Sequence, residues 1–187
     1  MWIWYVSRSD GGSVPAIISR AREAGVGTLI VKSSDGGRYW SQFSGRLVAE
    51  LRAAGLHVCA WQFVYGTHPL AEAQAGARAV GEGAECLIID AEEDYEGRYT
   101  SAAAYLRELR RDVGRDYPLG LASFPYVDNH PAFPYSVFLG PGGAQFDMPQ
   151  MYWLDIGSGV GTRDDRRHAA AVGPGQIPVP HRAPVYG

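Results

Sequence analysis

Short apolar runs and amphipathic helical patterns alternate along this chain, and the alternation is the feature that most constrains its fold. Apolar runs at Thr28–Lys32, Val58–Val64 and Leu87–Ile89 have the length of buried strands, and a helical pattern follows each one. The strand and helix units repeat about every 25 to 30 residues, which suits a βα barrel. Such units place parallel strands side by side with right-handed crossovers. The sequence therefore predicts an α/β fold, a (βα) TIM-type barrel.

The predicted elements fill most of the 187 residues. The predicted strands are Ile3–Val6, Thr28–Lys32, Val58–Val64, Leu87–Ile89, Leu119–Phe124 and Phe146–Trp153, and the predicted helices are Val14–Ala24, Phe43–Ala54, Pro69–Val80, Ser101–Val113 and Arg163–Val172. A seventh strand is predicted within Ile177–Tyr186. A complete barrel has about 250 residues, so we expect one domain, residues 1–187, whose barrel is incomplete or truncated near strand seven, with 158–187 loosely ordered. An open doubly wound sheet is the alternative, but no glycine-rich phosphate fingerprint supports it.

Composition excludes several classes of partner. The net charge of −3 gives no electrostatic reason to expect nucleic acid, and no apolar run approaches a membrane span. The N-terminal segment lacks the features of a signal peptide, so we expect a cytoplasmic protein or one exported by another route. Cys59 and Cys86 are expected to be buried free thiols. No metal-ligand spacing occurs, so we expect no metal and no cofactor.

A cluster of carboxylates ends the fourth predicted strand, at Asp90, Glu92, Glu93 and Asp94. Side chains alternate along a strand, so Asp90 and Glu92 project to the same side, at the strand end where βα barrels hold their active sites. Two neighbouring carboxylates repel each other, which separates their pKa values and suits acid/base catalysis. The alternative interpretation is an acidic loop that is solvated or caps the following helix.

Polar and aromatic residues follow the other predicted strands and are expected to line the same mouth of the barrel. Flat aromatic faces beside amides and carboxylates suit sugar rings. The predicted substrate-binding residues are Lys32, Asp35, Gln62, Tyr65, Tyr126, Gln150 and Tyr152. By strand alternation, Gln62 is expected to face the barrel axis, whereas Trp61 and Phe63 are expected to pack under the helices.

Three segments, Gly27–Gly36, Ala54–Phe63 and Leu87–Glu92, together resemble the glycoside hydrolase family 25 lysozymes, which are βα-barrel muramidases acting on peptidoglycan. The triplet Trp61-Gln62-Phe63 is similar to the family's aromatic triplet on strand three, and Asp90-Ala91-Glu92 matches its Asp-x-Glu on strand four. The resemblance implies that Glu92 is the general acid. Asp90 would stay ionised to stabilise the transition state, position a water or orient an acetamido group. The family's first-strand aspartate has no clear counterpart, since Asp10 lies in the following loop.

The sequence leaves three functions open. The first is a glycoside hydrolase-like domain acting on peptidoglycan or a related amino-sugar polysaccharide. The second is a non-catalytic carbohydrate-binding or scaffold barrel that has lost the first-strand acid. In the third, Lys32, the only lysine, does different chemistry, although a Schiff base needs a lowered pKa that nearby carboxylates oppose. Lys32 is otherwise expected to pair with Asp90 or Glu92, or to bind substrate. The expected partner is a glycan, and a homodimer is one way to cover an open barrel edge.

Overall fold

The computed structural model describes residues 1–152, and the strands within them form one seven-stranded sheet. The strands are β1 (Trp2–Ile3), β2 (Thr28–Asp35), β3 (Arg38–Tyr39), β4 (His57–Val64), β5 (Cys86–Ala91), β6 (Leu119–Ser123) and β7 (Phe146–Pro149). The helices are α1 (Val14–Glu23), α2 (Gly45–Ala53), α3 (Pro69–Gly81), α4 (Tyr99–Val113) and α5 (Tyr135–Phe138). The helix and strand predicted beyond residue 160 lie outside the described residues.

Six of the strands are parallel, and their order in the sheet, β1-β2-β4-β5-β6-β7, follows their order in the chain. The short β3 is antiparallel to β2. The strand order never reverses, which distinguishes this sheet from the doubly wound alternative. The sheet curls into a partial barrel, and within residues 1–152 β1 and β7 do not pair with each other. The predicted α/β class and parallel βα architecture are confirmed as a partial barrel.

The two faces of the sheet belong to different apolar clusters, because alternate residues of a strand point to opposite sides. The outer face packs against the helices, and its cluster includes Val31 and Leu87 of the sheet with Leu109 of α4. The inner cluster consists, among the described residues, of strand side chains such as Ile30 and Ile88. The helices therefore cover one face, as in a barrel, and the strand ends meet at one edge of the inner face.

The four helices α1 to α4 begin and end within two residues of their predicted bounds, whereas the short α5 was not predicted. The Ser13 hydroxyl accepts a hydrogen bond from the Ala16 amide at 3.4 Å and caps α1, as predicted. The Ser44 hydroxyl accepts one from the Leu47 amide at 3.3 Å and caps α2. Gly55, just beyond α2, has a φ of +82°, a conformation that a residue with a side chain rarely adopts. These local signals fix the spacing between the strands.

The two cysteines form a disulfide, so the prediction of free thiols is wrong. Cys59 of β4 and Cys86 of β5 are paired in register, with Cα atoms 4.6 Å apart. Both side chains point to the inner face, because each lies two residues before another side chain of that face, Trp61 or Ile88. The pairing depends on the register between two parallel strands, and the spacing of 27 residues along the chain does not reveal it.

Candidate active site

Asp90 and Glu92 lie together at the C-terminal end of β5, as their spacing predicted. Asp90 belongs to the inner face and is only 9% exposed, whereas Glu92 follows the strand and is half-buried. The side-chain amide nitrogen Nε2 of Gln150, just beyond β7, donates hydrogen bonds to Asp90 Oδ1 and to Glu92 Oε1, each at 2.8 Å. Because one nitrogen contacts both carboxyl groups, the two groups are close neighbours. The structure therefore brings three of the predicted site residues into direct contact.

The electrostatics of the pair favour a bound proton on Asp90. Burial is the largest cause, and the charge of Glu92 adds to it, so that the pKa of Asp90 rises from 3.8 to about 7. The positive charge of Lys32 and the hydrogen bond from Gln150 act in the opposite direction. This result differs from the expectation that Asp90 stays ionised. The reason is its depth in the mouth, which strand alternation alone does not indicate.

A second cluster joins Lys32, Asp35 and Tyr65. The register between β2 and β4 shifts between Lys32 and Ser34, as in a β-bulge. This shift lets Lys32 and Asp35 meet, with Lys32 Nζ 3.0 Å from Asp35 Oδ2. The Tyr65 hydroxyl donates to Asp35 Oδ1 at 2.7 Å, and this hydrogen bond is the main reason that the pKa of Tyr65 rises to about 12. Lys32 thus pairs with Asp35 and not, as predicted, with the carboxylates of β5.

Aromatic rings surround the ammonium group of Lys32, whose side chain is 1% exposed. Its Nζ lies 4.1 Å from the ring centre of Trp4, 4.5 Å from that of Trp61 and 4.8 Å from that of Trp40. Cation–π contacts in a desolvated environment contribute about 2 kcal/mol, so the rings stabilise a buried positive charge. Sequence reasoning missed Trp4 and Trp40. For Trp4 the available signal was the unusual density of aromatic residues in the first predicted strand.

Phe63 connects the two clusters. It is paired in register with Asp90 on the next strand, its ring contacts Tyr65 edge to face at 4.9 Å, and its ring centre lies 5.9 Å from Lys32 Nζ. Phe63 and Trp61 pack on the inner face and not under the helices, which corrects the prediction for both. The Lys32 cluster and the carboxylate pair therefore lie on neighbouring strands at one edge of the sheet.

Gln62 faces the helices, so the prediction that it points to the barrel axis is wrong. Its amide nitrogen donates to the backbone carbonyls of Gly36 at 3.0 Å and Glu72 at 2.7 Å, and the Tyr105 hydroxyl donates to its Oε1 at 3.0 Å. Gly76 of α3 leaves room for this amide, since a Cβ there would lie 2.7 Å from Gln62 Oε1. A glutamine at a strand end suggested a binding site, but the neighbouring elements satisfy its hydrogen bonds.

The remaining predicted ligands, Tyr126 and Tyr152, follow the C-terminal ends of β6 and β7. Tyr126 is half-buried and precedes the short 3-10 turn Val127–Asn129. Tyr152 is exposed and lies two residues beyond Gln150. Both therefore lie beyond the C-terminal ends of parallel strands, as the carboxylate pair does. Their roles as substrate ligands stay predictions.

The first strand supplies no carboxylate of its own. β1 ends at Ile3, and the next residue is Trp4, whose ring contacts Lys32. Asp10 lies two short turns later, and its carboxylate pairs with Arg20 of α1 at 3.2 Å. An aromatic ring therefore occupies the strand end where family 25 lysozymes place an aspartate.

Within residues 1–152, no group of three or more histidine, cysteine, aspartate or glutamate side chains is arranged to bind a metal ion. Of the helices described here, none has the length and apolar character needed to cross a membrane.

Comparisons with known proteins give matches only among solved structures, since no family model and no curated protein matches the chain. The chain is similar to the catalytic domain of endolysin Ply40 from a bacteriophage of Listeria monocytogenes, with 18% identity, 61% of this chain and 60% of that chain covered, and a TM-score of 0.47. It is also similar to the modular Cpl-1 endolysin complexed with a peptidoglycan analogue, with 16% identity, 69% and 38% covered, and a TM-score of 0.47. The chain thus spans less than two thirds of either protein.

Proposed function

We propose that this domain is a glycoside hydrolase that cleaves an amino-sugar polysaccharide, with peptidoglycan as the first substrate to test. The proposal rests on one observation, the direct contact of Asp90, Glu92 and the Gln150 amide at the strand ends. The pKa of Asp90, about 7, keeps a proton available beside Glu92 at neutral pH, as general acid catalysis requires. The choice of peptidoglycan follows from the sequence resemblance.

The different depths of the two carboxyl groups assign their roles. Glu92 is half-buried and closer to solvent, so it is the group that reaches the glycosidic oxygen and protonates the leaving sugar. Asp90 is nearly buried and lies beside Glu92, so it passes its proton to Glu92 after each transfer and regains one from the water that hydrolysis consumes. Gln150 orients both groups through its two N–H bonds.

The contact between the carboxyl groups also restricts the route of hydrolysis. Enzymes that use a carboxylate on each side of the scissile bond separate the two groups by about 5–5.5 Å or about 6.5–9.5 Å. Gln150 Nε2 lies 2.8 Å from an oxygen of each group, so Asp90 and Glu92 lie side by side at the end of β5, and we place both on the same side of the scissile bond. The attacking group then comes from water or from the substrate's own acetamido oxygen, which Asp90 is placed to orient. The second route predicts a preference for N-acetylated amino sugars.

The test compares wild type, Glu92→Gln and Glu93→Gln on peptidoglycan and on N-acetylglucosamine oligosaccharides, with new reducing ends as the readout. We expect Glu92→Gln to lower turnover by at least a hundredfold, within the range attributed to general acid catalysis. Glu93→Gln removes an exposed carboxylate from the next position and should retain turnover. Equal turnover in Glu92→Gln and wild type would disprove the role of Glu92.

A non-catalytic glycan-binding barrel is the second candidate, and the first strand favours it. Trp4 stands where the resemblance implies an aspartate, and Asp10 is paired with Arg20. This candidate predicts that wild type binds the oligosaccharides and releases no reducing ends under any pH tested. The same assay therefore separates the two functions.

A further inference from the structure

An exposed surface of three aromatic rings lies outside the carboxylate pair and is called the aromatic platform below. It consists of Trp4, which is 52% exposed, Tyr5, which is 38% exposed, and the half-buried Trp40. The rings of Tyr5 and Trp40 stack with centroids 5.3 Å apart and planes 21° apart. Burial of these rings would stabilise the fold, and exposed apolar patches often mark binding sites. The exposure of the rings therefore points to a ligand.

The platform is rigid. Gln42 donates hydrogen bonds from Nε2 to the backbone carbonyls of Trp4 at 2.7 Å and Lys32 at 2.9 Å, and its Oε1 accepts one from the Val6 amide at 3.1 Å. The Trp4 ring also contacts the buried Trp61 edge to face at 5.1 Å. The exposed rings are therefore fixed before any ligand arrives, which lowers the entropy cost of binding.

The platform lies at the same edge of the sheet as the carboxylate pair, three strands away. Ile3 of β1 is paired with Val31 of β2, so Trp4 lies beside Lys32 at the same edge of the sheet. β1 is separated from β5 by three strand spacings, on the order of 14 Å. A single sugar ring does not cover that distance, whereas a chain of linked sugars does.

The size and chemistry of the platform select the kind of ligand. The exposed parts of Trp4 and Tyr5 together amount to roughly 200 Å², taking about 150–250 Å² for a whole aromatic side chain. A protein partner needs about 800 Å² on each side. Flat rings pack against the C–H face of a pyranose, and Arg8, whose guanidinium lies 4.6 Å from the ring centre of Tyr5, offers hydrogen bonds to sugar hydroxyls.

We propose that Trp4, Tyr5 and Trp40 bind a remote sugar unit of the same glycan whose glycosidic bond lies at Asp90 and Glu92. The inference rests on the proposed function, because it assumes a polysaccharide that runs along the strand ends. It adds that the domain recognises chain length: an oligosaccharide long enough to reach both places binds more tightly than a short one.

The test measures binding in the Glu92→Gln background, so that turnover does not interfere. Di- and hexasaccharides of N-acetylglucosamine are titrated by calorimetry into proteins with and without the further substitution Tyr5→Ala. We expect Tyr5→Ala to reduce affinity for the hexasaccharide at least tenfold more than affinity for the disaccharide. Tyr99→Ala is the matched control, since Tyr99 is a tyrosine of similar exposure (43%) at the start of α4. Tyr5→Leu keeps an apolar side chain without the flat ring and replaces Tyr5→Ala if that variant does not fold.

Each outcome decides the inference. An equal loss for both oligosaccharides, an effect equal to that of Tyr99→Ala, or no binding of the hexasaccharide at all would overturn it. A concentration-dependent dimer that Tyr5→Ala abolishes would assign the platform to self-association instead. Length-dependent binding by a wild-type protein that releases no reducing ends would support the platform and reject the proposed hydrolysis.

Discussion

Replacement of Asp90 by asparagine should change how the stability of the domain depends on pH. The folded state binds the Asp90 proton more tightly than the unfolded state, because its pKa rises from 3.8 to about 7. Asp90 therefore contributes no penalty below about pH 4. The penalty develops between about pH 4 and pH 7, where the folded state keeps a proton that the unfolded state has lost, and it is complete above pH 7. The rise of about three pKa units, at 1.36 kcal/mol each, corresponds to about 4 kcal/mol above pH 8.

The assay is urea unfolding of wild type and Asp90→Asn at pH 4 and at pH 8. Asparagine keeps the size of the side chain and an oxygen that accepts the Gln150 hydrogen bond, but it cannot ionise. Between these pH values we expect the unfolding free energy of wild type to fall by about 4 kcal/mol relative to that of the variant. With an m-value of about 2 kcal/mol/M, the midpoints diverge by roughly 2 M urea.

The control is Glu93→Gln, which removes one negative charge from the exposed position next to Glu92. It should follow the wild-type pH profile, because the change in net charge is the same and no buried carboxyl is lost. Parallel profiles for wild type and Asp90→Asn would refute the reasoning, since they would mean that Asp90 binds its proton equally in the folded and unfolded states.

Two further predictions concern the frame around the site. Gly76→Ala should destabilise the domain by about 1–3 kcal/mol in thermal or urea unfolding, because its Cβ would lie 2.7 Å from Gln62 Oε1. Gly81→Ala, in the same helix with no atom within 4 Å of the new Cβ, should be neutral or stabilising, and equal effects of the two would contradict the packing argument. Replacement of both Cys59 and Cys86 by alanine should lower the unfolding free energy by about 2–4 kcal/mol, since the disulfide closes a 27-residue segment. Unchanged stability in non-reducing buffer would show that the bridge contributes nothing.

The order of the elements could be predicted from the sequence because it depends on local patterns. The run Leu87–Ile89 and the caps at Ser13 and Gly55 act within a few residues of the chain, and each appears where the patterns placed it. The juxtaposition of Asp90 and Glu92 follows from strand alternation in the same way. These features need no knowledge of what packs against them.

The errors concern features that depend on contacts between distant segments. Strand alternation places Gln62 opposite Trp61 and Phe63, but it does not say which face the helices cover. Glu72 and Tyr105 satisfy Gln62 from the helix side. The Cys59–Cys86 bridge depends on the register between β4 and β5. The raised pKa of Asp90 depends on burial that other strands create. None of these facts is encoded in the residues immediately around the position concerned.

Trp4, and not a carboxylate, follows β1, and the surroundings of Lys32 fit this arrangement. A buried ammonium group without a partner is strongly destabilising, so a chain that lacks an acid at this strand end must stabilise Lys32 by other means. The bulge in β2 supplies one means, because it places Asp35 3.0 Å from the ammonium. The indoles of Trp4, Trp40 and Trp61 supply the other. Trp4 contacts the buried ammonium with its ring and is also 52% exposed, so one side chain links the buried charge to the aromatic platform.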